Sequence, residues 1–148
     1  MAGANAPQRG GTVEVGQELP VIRKEISQTR MMAYGAATWD FIRVHYDADY
    51  IRERGFEAPF VDGQMLGAYL AQLVQDWAGP GCFLKKLNFR NRRMVFAGDV
   101  VTCGGTVKTV AEEQGTTVAE VDLWIENQRG ERILEPAGAV VRLPGEAG

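Results

Sequence analysis

The sequence predicts an α+β domain, because one strongly amphipathic helix precedes a run of long strands joined by short turns. Large apolar residues of this helix recur at four-residue spacing in two adjoining rows, namely Met65, Leu66, Tyr69, Leu70, Leu73, Val74 and Trp77. Alternating apolar and polar residues predict a strand at 82–91, and segments rich in Val, Thr and Ile predict strands at 100–110, 116–126 and 133–143. Short connections require antiparallel pairing, since parallel strands need long crossovers. We therefore expect a curved antiparallel sheet wrapped around one central helix at 62–77.

The first half of the sequence is predicted to be mostly helical after one short strand. The β-branched and charged residues of 21–27 are typical of an edge strand. Thr29 is then expected to cap a helix that ends near Trp39. A second, shorter helix is expected to begin near Tyr46 and to be closed by Gly55.

Size and composition suit one domain. The chain has 148 residues, of which 45% are apolar, and we place the domain at 12–148. Residues 1–11 are small, polar and glycine-rich, so we expect a disordered tail there rather than a targeting segment. The net charge of −3 argues against a nucleic-acid-binding surface, and no apolar run is long enough to cross a bilayer, so no membrane partner is expected.

The chain has two cysteines, Cys82 and Cys103, whose spacing is informative about the cellular compartment and about metal binding. Neither lies in the spacing of a metal or redox motif, and no export signal is recognisable. We therefore expect reduced thiols, a cytoplasmic protein and no metal site.

An acidic residue and the single histidine of the chain, Asp40 and His45, lie five positions apart. Residues at this spacing on a regular α-helix point about 140° apart, because each residue turns the helix by roughly 100°. If the two side chains serve one site, the helix must stop near Trp39 and the chain must bend back. The alternative is a partly exposed surface histidine, with Asp47 as the N-cap of the second helix.

Two linked motifs in this region resemble those of a known family. They are Asp40-x4-His45-x-Asp47 and Gly55-Phe56-x-x-Pro59-x-x-x-Gly63-x-Met65. Together they resemble the MaoC-like (R)-specific enoyl-CoA hydratases, which carry a Gly-Asp-x-Asn-Pro-Ile/Leu-His-x-Asp run, then Gly-Phe-x-x-Pro and a His-Gly-Met helix start. A more specific likeness is to the small MaoC-like subunit of actinobacterial steroid side-chain enoyl-CoA hydratases. It rests on Ala37-Thr38-x-Asp40-Phe41-x-x-Val44-His45-x-Asp47 and Asp76-Trp77-Ala78-Gly79-Pro80.

This resemblance implies a hotdog fold, in which the sheet wraps the long helix, and a pair of such domains side by side with each active site at their interface. The implied assembly is a homodimer, or a heterotetramer with a second MaoC-like subunit. The implied activity is the hydration of an enoyl-CoA, with the CoA thioester as substrate and no cofactor.

The sequence departs from the general family pattern near the implied site. Trp39 stands where the family has Gly, Ile42-Arg43 replaces Asn-Pro, and Asp62 replaces the His before Gly63. The Asp40 and His45 positions are both retained. These departures bear on the size and shape of the substrate, so Trp39 and Asp62 are expected to contact it.

Hydration of an unsaturated thioester needs a base for water, an acid for the α-carbon and hydrogen-bond donors for the enolate oxygen. Under the resemblance, Asp40 and His45 act as one unit on a shared water. The N–H of Gly63, at the start of the long helix, suits the oxygen that gains negative charge. A plain N-cap and turn is the alternative for Asp62-Gly63.

Two other functions stay open on the sequence. Hotdog thioesterases use a carboxylate near the start of the central helix, which is where Asp62 lies. A structural subunit whose partner carries the chemistry is the other alternative. The intact Asp40/His45 pair favours hydration over hydrolysis.

A basic cluster, Lys85-Lys86 with Arg90, Arg92 and Arg93, places five cations within nine residues. Its functional interpretation is a clamp for the phosphates of CoA, because arginine forks match phosphate oxygens. The alternative is a solvated edge strand protected against aggregation.

The first turns of the long helix bear on the size of the acyl group. The small residue Gly67 is predicted to free volume there, and Met65, assigned to the core stripe, is able to repack around an irregular ligand. A bulky, steroid-type or branched acyl group is therefore expected. The alternative is that Gly67 lets a strand pack close to the helix.

Overall fold

A computed structural model describes residues 12–145. Within that range the helices are α1 (Gln28–Thr38), α2 (Ala48–Arg52) and α3 (Gly63–Ala78), with a 3₁₀ turn at Arg43–His45. The strands are β1 (Ile22–Glu25), β2 (Phe83–Asn91), β3 (Val100–Glu113), β4 (Thr116–Asn127) and β5 (Arg132–Arg142). The disordered tail predicted for residues 1–11 lies outside the described residues.

The described strands form one sheet in the order β1-β3-β4-β5-β2, and all neighbours are antiparallel. This pairing confirms the prediction made from the short connections. The β3–β4 hairpin turns on Gln114 and Gly115, which both have positive φ, at 51° and 75°. Such a pair favours a tight hairpin whose twist matches that of the strands. The pairing begins at Glu113↔Thr116, and its register shifts once, between Val107 and Thr109.

The core is formed where α3 crosses the sheet, because this helix contacts β2, β3, β4 and β5. Its predicted apolar stripe is buried except for Tyr69, which is half-buried, and Leu70 and Val74 have no exposed surface. Burying each such side chain contributes roughly 1.5–3 kcal/mol relative to leaving it in water. Asp62 caps the helix by accepting the Gln64 N–H at 2.8 Å, and Gly79, with φ of 82°, follows its last residue. The sheet and this helix form the predicted α+β arrangement.

The first helix begins earlier than the sequence suggested. Ser27, rather than Thr29, is the N-cap, because its backbone is extended and its hydroxyl accepts the Arg30 N–H at 3.1 Å. The second helix is also shorter than expected, since Asp47 caps it and the regular turns end at Arg52. These shifts leave the bend between the two helices where the spacing predicted it.

Candidate active site

The chain leaves α1 at Trp39, as the spacing of the acidic residue and the histidine predicted. Trp39 has φ of 59° and ψ of 32°, the left-handed region in which a residue with a Cβ pays about 1–2 kcal/mol. The next N–H, of Asp40, donates to the Gly35 oxygen at 2.8 Å and closes the turn. A glycine adopts this conformation without that cost, which accounts for the glycine that the family pattern has here.

His45 lies in the 3₁₀ turn and its ring is fixed by a backbone group. Its Nδ1 is 2.8 Å from the Phe60 carbonyl oxygen, and the Phe60 ring meets the imidazole edge to face at 5.7 Å. A carbonyl oxygen only accepts, so Nδ1 carries the hydrogen. The neutral ring therefore presents a lone pair at Nε2, which is free to accept a proton.

Three side chains converge at this bend. Asp40, His45 and Asp62, each half-buried, offer ligating atoms that all lie within 4.8 Å of one another. The first two are the predicted pair, and the third is the carboxylate considered for a thioesterase. Asp62 also caps α3, so the same side chain serves as the N-cap of this helix and lies in the site. Groups at this separation are able to share one water molecule.

The same three side chains carry the donor types that a divalent cation takes, one imidazole and two carboxylates. Within residues 12–145, no other group of three or more His, Cys, Asp or Glu side chains brings its donor atoms this close together. A cation and a water held by Asp40 and His45 would compete for the same atoms. The expectation that no metal is used stays a prediction.

Tyr34, on α1, belongs to this site although the sequence did not single it out. Burial, followed by the negative charges of Asp62 and Asp40, raises the pKa of its phenol. The phenol therefore lies within electrostatic range of both carboxylates, and its hydroxyl stays protonated. Its relation to Asp40 depends on the chain reversal at Trp39, and no local pattern reveals it.

The helix start that was expected to hold the enolate oxygen has a free donor. Within residues 12–145 the Gly63 N–H has no hydrogen-bond acceptor, whereas the next two N–H groups bond to Asp62. A Cβ on Gly63 would collide with the side-chain amide of Asn91, at the end of β2. This amide is the far end of an exposed side chain and is able to move away from a Cβ, so the contact does not require glycine; it does place Asn91 beside Gly63, which the sequence did not indicate.

The space beside Gly67 is filled. A Cβ at this position would meet the Phe89 ring of β2, and Met65 is only 3% exposed within the core. The close-packing alternative thus accounts for Gly67, and this glycine gives no support to a large acyl pocket. Met65 matches its core assignment, so a substrate contact there requires the core to open.

The predicted basic cluster does not form a single patch. Lys85 pairs with Glu113 at 2.8 Å near the start of β2. Arg92 and Arg93 instead line a hollow of about 400 Å³ together with Arg132 and Glu135, which come from β5. Arg90 is exposed, and its contact with substrate stays a prediction.

An apolar surface flanks Asp40. Trp39 is 83% exposed, and its neighbours Phe41 and Ile42 are 47% and 57% exposed. The Trp39 and Phe41 rings pack edge to face at 5.1 Å. Large apolar groups next to a half-buried carboxylate are typical of a surface that a ligand or a partner covers. No helix within residues 12–145 has the length and apolar character needed to span a membrane.

Comparison with known proteins gives one family. A family model described as MaoC-like domain matches residues 10–128. Over 96 residues the chain is 32% identical to the beta subunit of the 3-oxo-4,17-pregnadiene-20-carboxyl-CoA hydratase of Mycobacterium tuberculosis. That alignment covers 65% of this chain and 74% of the subunit.

Solved structures agree with this likeness. A chain of the ChsH1–ChsH2 complex from M. tuberculosis superposes with a TM-score of 0.79 at 26% identity, over 89% of this chain and 99% of that one. The (R)-hydratase from A. caviae involved in PHA biosynthesis superposes with a TM-score of 0.80 at 28% identity, over 91% and 100% of the two chains. These neighbours confirm the expected hotdog fold.

Proposed function

The chain belongs to the MaoC-like domain family, and on that premise we propose that it is an enoyl-CoA hydratase. It adds water to a trans-2-enoyl-CoA and forms a 3-hydroxyacyl-CoA. The observation that carries this proposal is the convergence of Asp40 and His45 on one half-buried point beside a helix N-terminus. The hydratases among the similar proteins support the same class of reaction.

The proposed reaction uses the two side chains as one unit. Asp40 accepts a hydrogen bond from one O–H of the water and His45 Nε2 accepts a hydrogen bond from the other, since Nδ1 is bonded to Phe60. As the water oxygen bonds to the β-carbon, one proton passes to this pair and one proton returns from it to the α-carbon. The pair ends with the protons it began with, so the proposed step balances without a cofactor.

The enolate oxygen that forms during this step needs a donor. The unpaired Gly63 N–H supplies it at the positive end of the α3 dipole. A preorganised donor of this kind contributes about 2.7–4 kcal/mol to the stabilisation of an oxyanion transition state. We assign the orientation of the thioester to the Asn91 amide, which lies against Gly63.

We extend the proposal to the assembly. The exposed Trp39, Phe41 and Ile42 beside Asp40 leave this flank of the site open in a single chain. A second MaoC-like domain, from another copy or from a different subunit, covers it. The similar chain from the ChsH1–ChsH2 complex supports an assembly of this kind.

The name of one relative states its substrate, and we base the proposed substrate class of this chain on that name. That relative is the beta subunit of a pregnadiene carboxyl-CoA hydratase, so we propose a ring-bearing or branched acyl group for this chain. Trp39 and its apolar neighbours supply the surface for it. Comparison of crotonyl-CoA with a ring-bearing enoyl-CoA tests this choice, and a higher kcat/KM for crotonyl-CoA would reject it.

Hydrolysis of the thioester is the second candidate, because Asp62 lies with Asp40 and His45. Mass spectrometry of the products separates the two reactions. The purified oligomer should convert a trans-2-enoyl-CoA into a product heavier by one water, and should leave a saturated acyl-CoA of equal length intact. Release of free CoA from the saturated compound, abolished by Asp62→Asn, would replace hydration with hydrolysis. Hydration by the assembled protein that persists at the wild-type rate after Asp40→Asn and His45→Ala in this chain would make it a structural subunit whose partner carries the chemistry.

A further inference from the structure

We propose that helix α1 sets the separation of Asp40 and His45, with Gln28 and Gly35 as positioning residues at two points of attachment. The segment from Asp40 to His45 is bonded to this helix at both of its ends, so it runs back along it. The inference rests on the proposed function in giving Asp40 and His45 the chemistry. It assigns a role to two residues that act through these side chains rather than on the substrate.

The first attachment lies at the start of the segment. The Asp40 N–H donates to the Gly35 oxygen at 2.8 Å, in the second half of α1. A Cβ on Gly35 would lie 2.7 Å from the Asp40 carbonyl oxygen, which is a backbone atom and does not move aside as a flexible side chain does. Glycine at position 35 therefore permits the close approach of the returning chain to the helix.

The second attachment lies at the end of the segment. The side-chain amide of Gln28, the first residue of α1, donates through Nε2 to the His45 carbonyl oxygen at 3.1 Å. The hydroxyl of Ser27 caps the same turn by accepting the Arg30 N–H, which stabilises the helix start that carries Gln28. The backbone of His45 is thereby held to the first turn of α1, whereas that of Asp40 is held to its second half.

The lengths of the helix and of the segment explain why both attachments matter. Gln28 and Gly35 are seven residues apart, which is a rise of about 10 Å along the helix axis. The six residues from Asp40 to His45 would reach about 20 Å if fully extended. Attachment to points about half that distance apart holds the segment in a bent form, in which donor atoms of Asp40 and His45 lie within 4.8 Å of each other.

The reaction is sensitive to this separation, because a shared water needs both acceptors at hydrogen-bond distance at once. The Gln28 amide is exposed and water competes for its bond, so its loss should have a modest effect. A Cβ on Gly35 meets a backbone atom, so its effect should be larger. Both effects should appear in kcat rather than in KM, because the contacts of the substrate remain.

The test measures hydration by the purified oligomer with Gln28→Met or Gly35→Ala. Methionine keeps the length of the glutamine side chain without its donor. We expect kcat to fall about 3- to 10-fold in Gln28→Met and on the order of 10-fold or more in Gly35→Ala, with KM within about 2-fold of wild type. Gln28→Lys, which keeps a donor, should recover part of the loss. The matched controls are Gln72→Met and Ala33→Ser, at exposed positions of α3 and α1, and both should keep the wild-type rate.

Double variants separate positioning from a general loss of structure. Gln28→Met should cause no further loss of rate when His45 is already alanine, because it acts through that side chain. Gly35→Ala should likewise cause none when Asp40 is already asparagine. Further losses in these two backgrounds would assign both residues to general stability and would overturn the inference.

Nuclear magnetic resonance tests the attachment without turnover, because the chain has one histidine and therefore one imidazole signal when this chain alone is labelled. The signal should shift in Gln28→Met and Gly35→Ala and keep its wild-type position in the two controls. If Gly35→Ala fails to fold, Gln28→Met carries the test, since its side chain is exposed.

The two readouts distinguish this inference from the proposed function. An unchanged imidazole signal together with wild-type kcat in Gln28→Met and Gly35→Ala would overturn the inference and leave the hydratase standing. A wild-type oligomer without hydratase activity, whose imidazole signal still shifts in these variants, would reject the proposed function and leave the attachment to α1 standing.

Discussion

The Nδ1 of His45 and the carbonyl oxygen of Phe60 are 2.8 Å apart, although fifteen residues separate them in the chain. The Phe60 N–H donates in turn to the Val44 oxygen at 3.3 Å, so two bonds join the turn of His45 to the segment before α3. This arrangement fixes which imidazole nitrogen carries hydrogen. It also ties the position of His45 to the start of the central helix.

Replacement of His45 by Asn tests this division of roles. The asparagine amide takes the place of Nδ1 and keeps the bond to Phe60, whereas nothing replaces Nε2. We expect His45→Asn to be as inactive as His45→Ala but more stable by about 1 kcal/mol. Thermal unfolding and hydration rates measure both properties. Equal unfolding temperatures for the two variants would show that the Phe60 bond does not hold the ring.

An arginine in the same turn is expected to position His45. Arg43 donates through Nε and Nη2 to Asp47 at 2.9 and 2.7 Å and lies over the Tyr50 ring at 4.2 Å. The Tyr50 N–H and the Arg43 guanidinium hold the pKa of the Asp47 carboxyl below its usual range, so the pair stays charged. This clamp replaces the backbone restriction that a proline gives at position 43 in the family pattern.

We expect Arg43→Ala to lower kcat by about 5- to 20-fold with little change in KM, because His45 loses its orientation while the substrate contacts remain. Arg43→Lys should recover part of this loss. The control is Arg52→Ala, since Arg52 pairs with Asp49 on α2 and contacts neither Tyr50 nor the turn. An equal loss of kcat in the control would assign the effect to general loosening of α2.

Gly67 should act through packing rather than through substrate size. Gly67→Leu drives a side chain into the Phe89 ring, so we expect a loss of roughly 1–3 kcal/mol in the free energy of unfolding. Ala68→Leu, at an exposed neighbour on the same helix, should change stability by less than about 0.5 kcal/mol. Denaturant unfolding measures both.

The hydration rates of the Gly67→Leu and Ala68→Leu variants decide the role of Gly67. Hydration of crotonyl-CoA and of a ring-bearing enoyl-CoA should fall by the same factor in Gly67→Leu. A selective loss with the larger substrate, in a variant of unchanged stability, would restore the view that Gly67 frees volume for the acyl group.

Much of the fold was predictable because periodic patterns report local geometry. The apolar rows that end at Trp77 predicted α3 to within one residue at each end, and the short turns predicted the antiparallel sheet. The bend at Trp39 followed from the angle between Asp40 and His45 on an ideal helix. These features depend on neighbouring residues, so one sequence suffices to find them.

The missed features depend on contacts between distant segments. Tyr34, Asn91 and Arg132 join the site or the hollow only when α1, β2 and β5 are packed together. The glycine at position 67 is equally compatible with an open pocket and with a close contact, and the position of the Phe89 ring decides between them. Cations that are close in sequence are likewise separated in space, since Lys85 lies near the start of β2 and Arg92 lies just beyond its end.

The most direct test of the account is the hydration rate of Asp40→Asn, His45→Ala and the double variant in the assembled protein. If the two side chains hold one water as a unit, each single variant loses on the order of 10²-fold or more in kcat/KM. The double variant should then be no slower than the slower single variant, because the unit is already broken. Wild-type rates in both single variants, or losses that multiply in the double variant, would contradict a shared catalytic water.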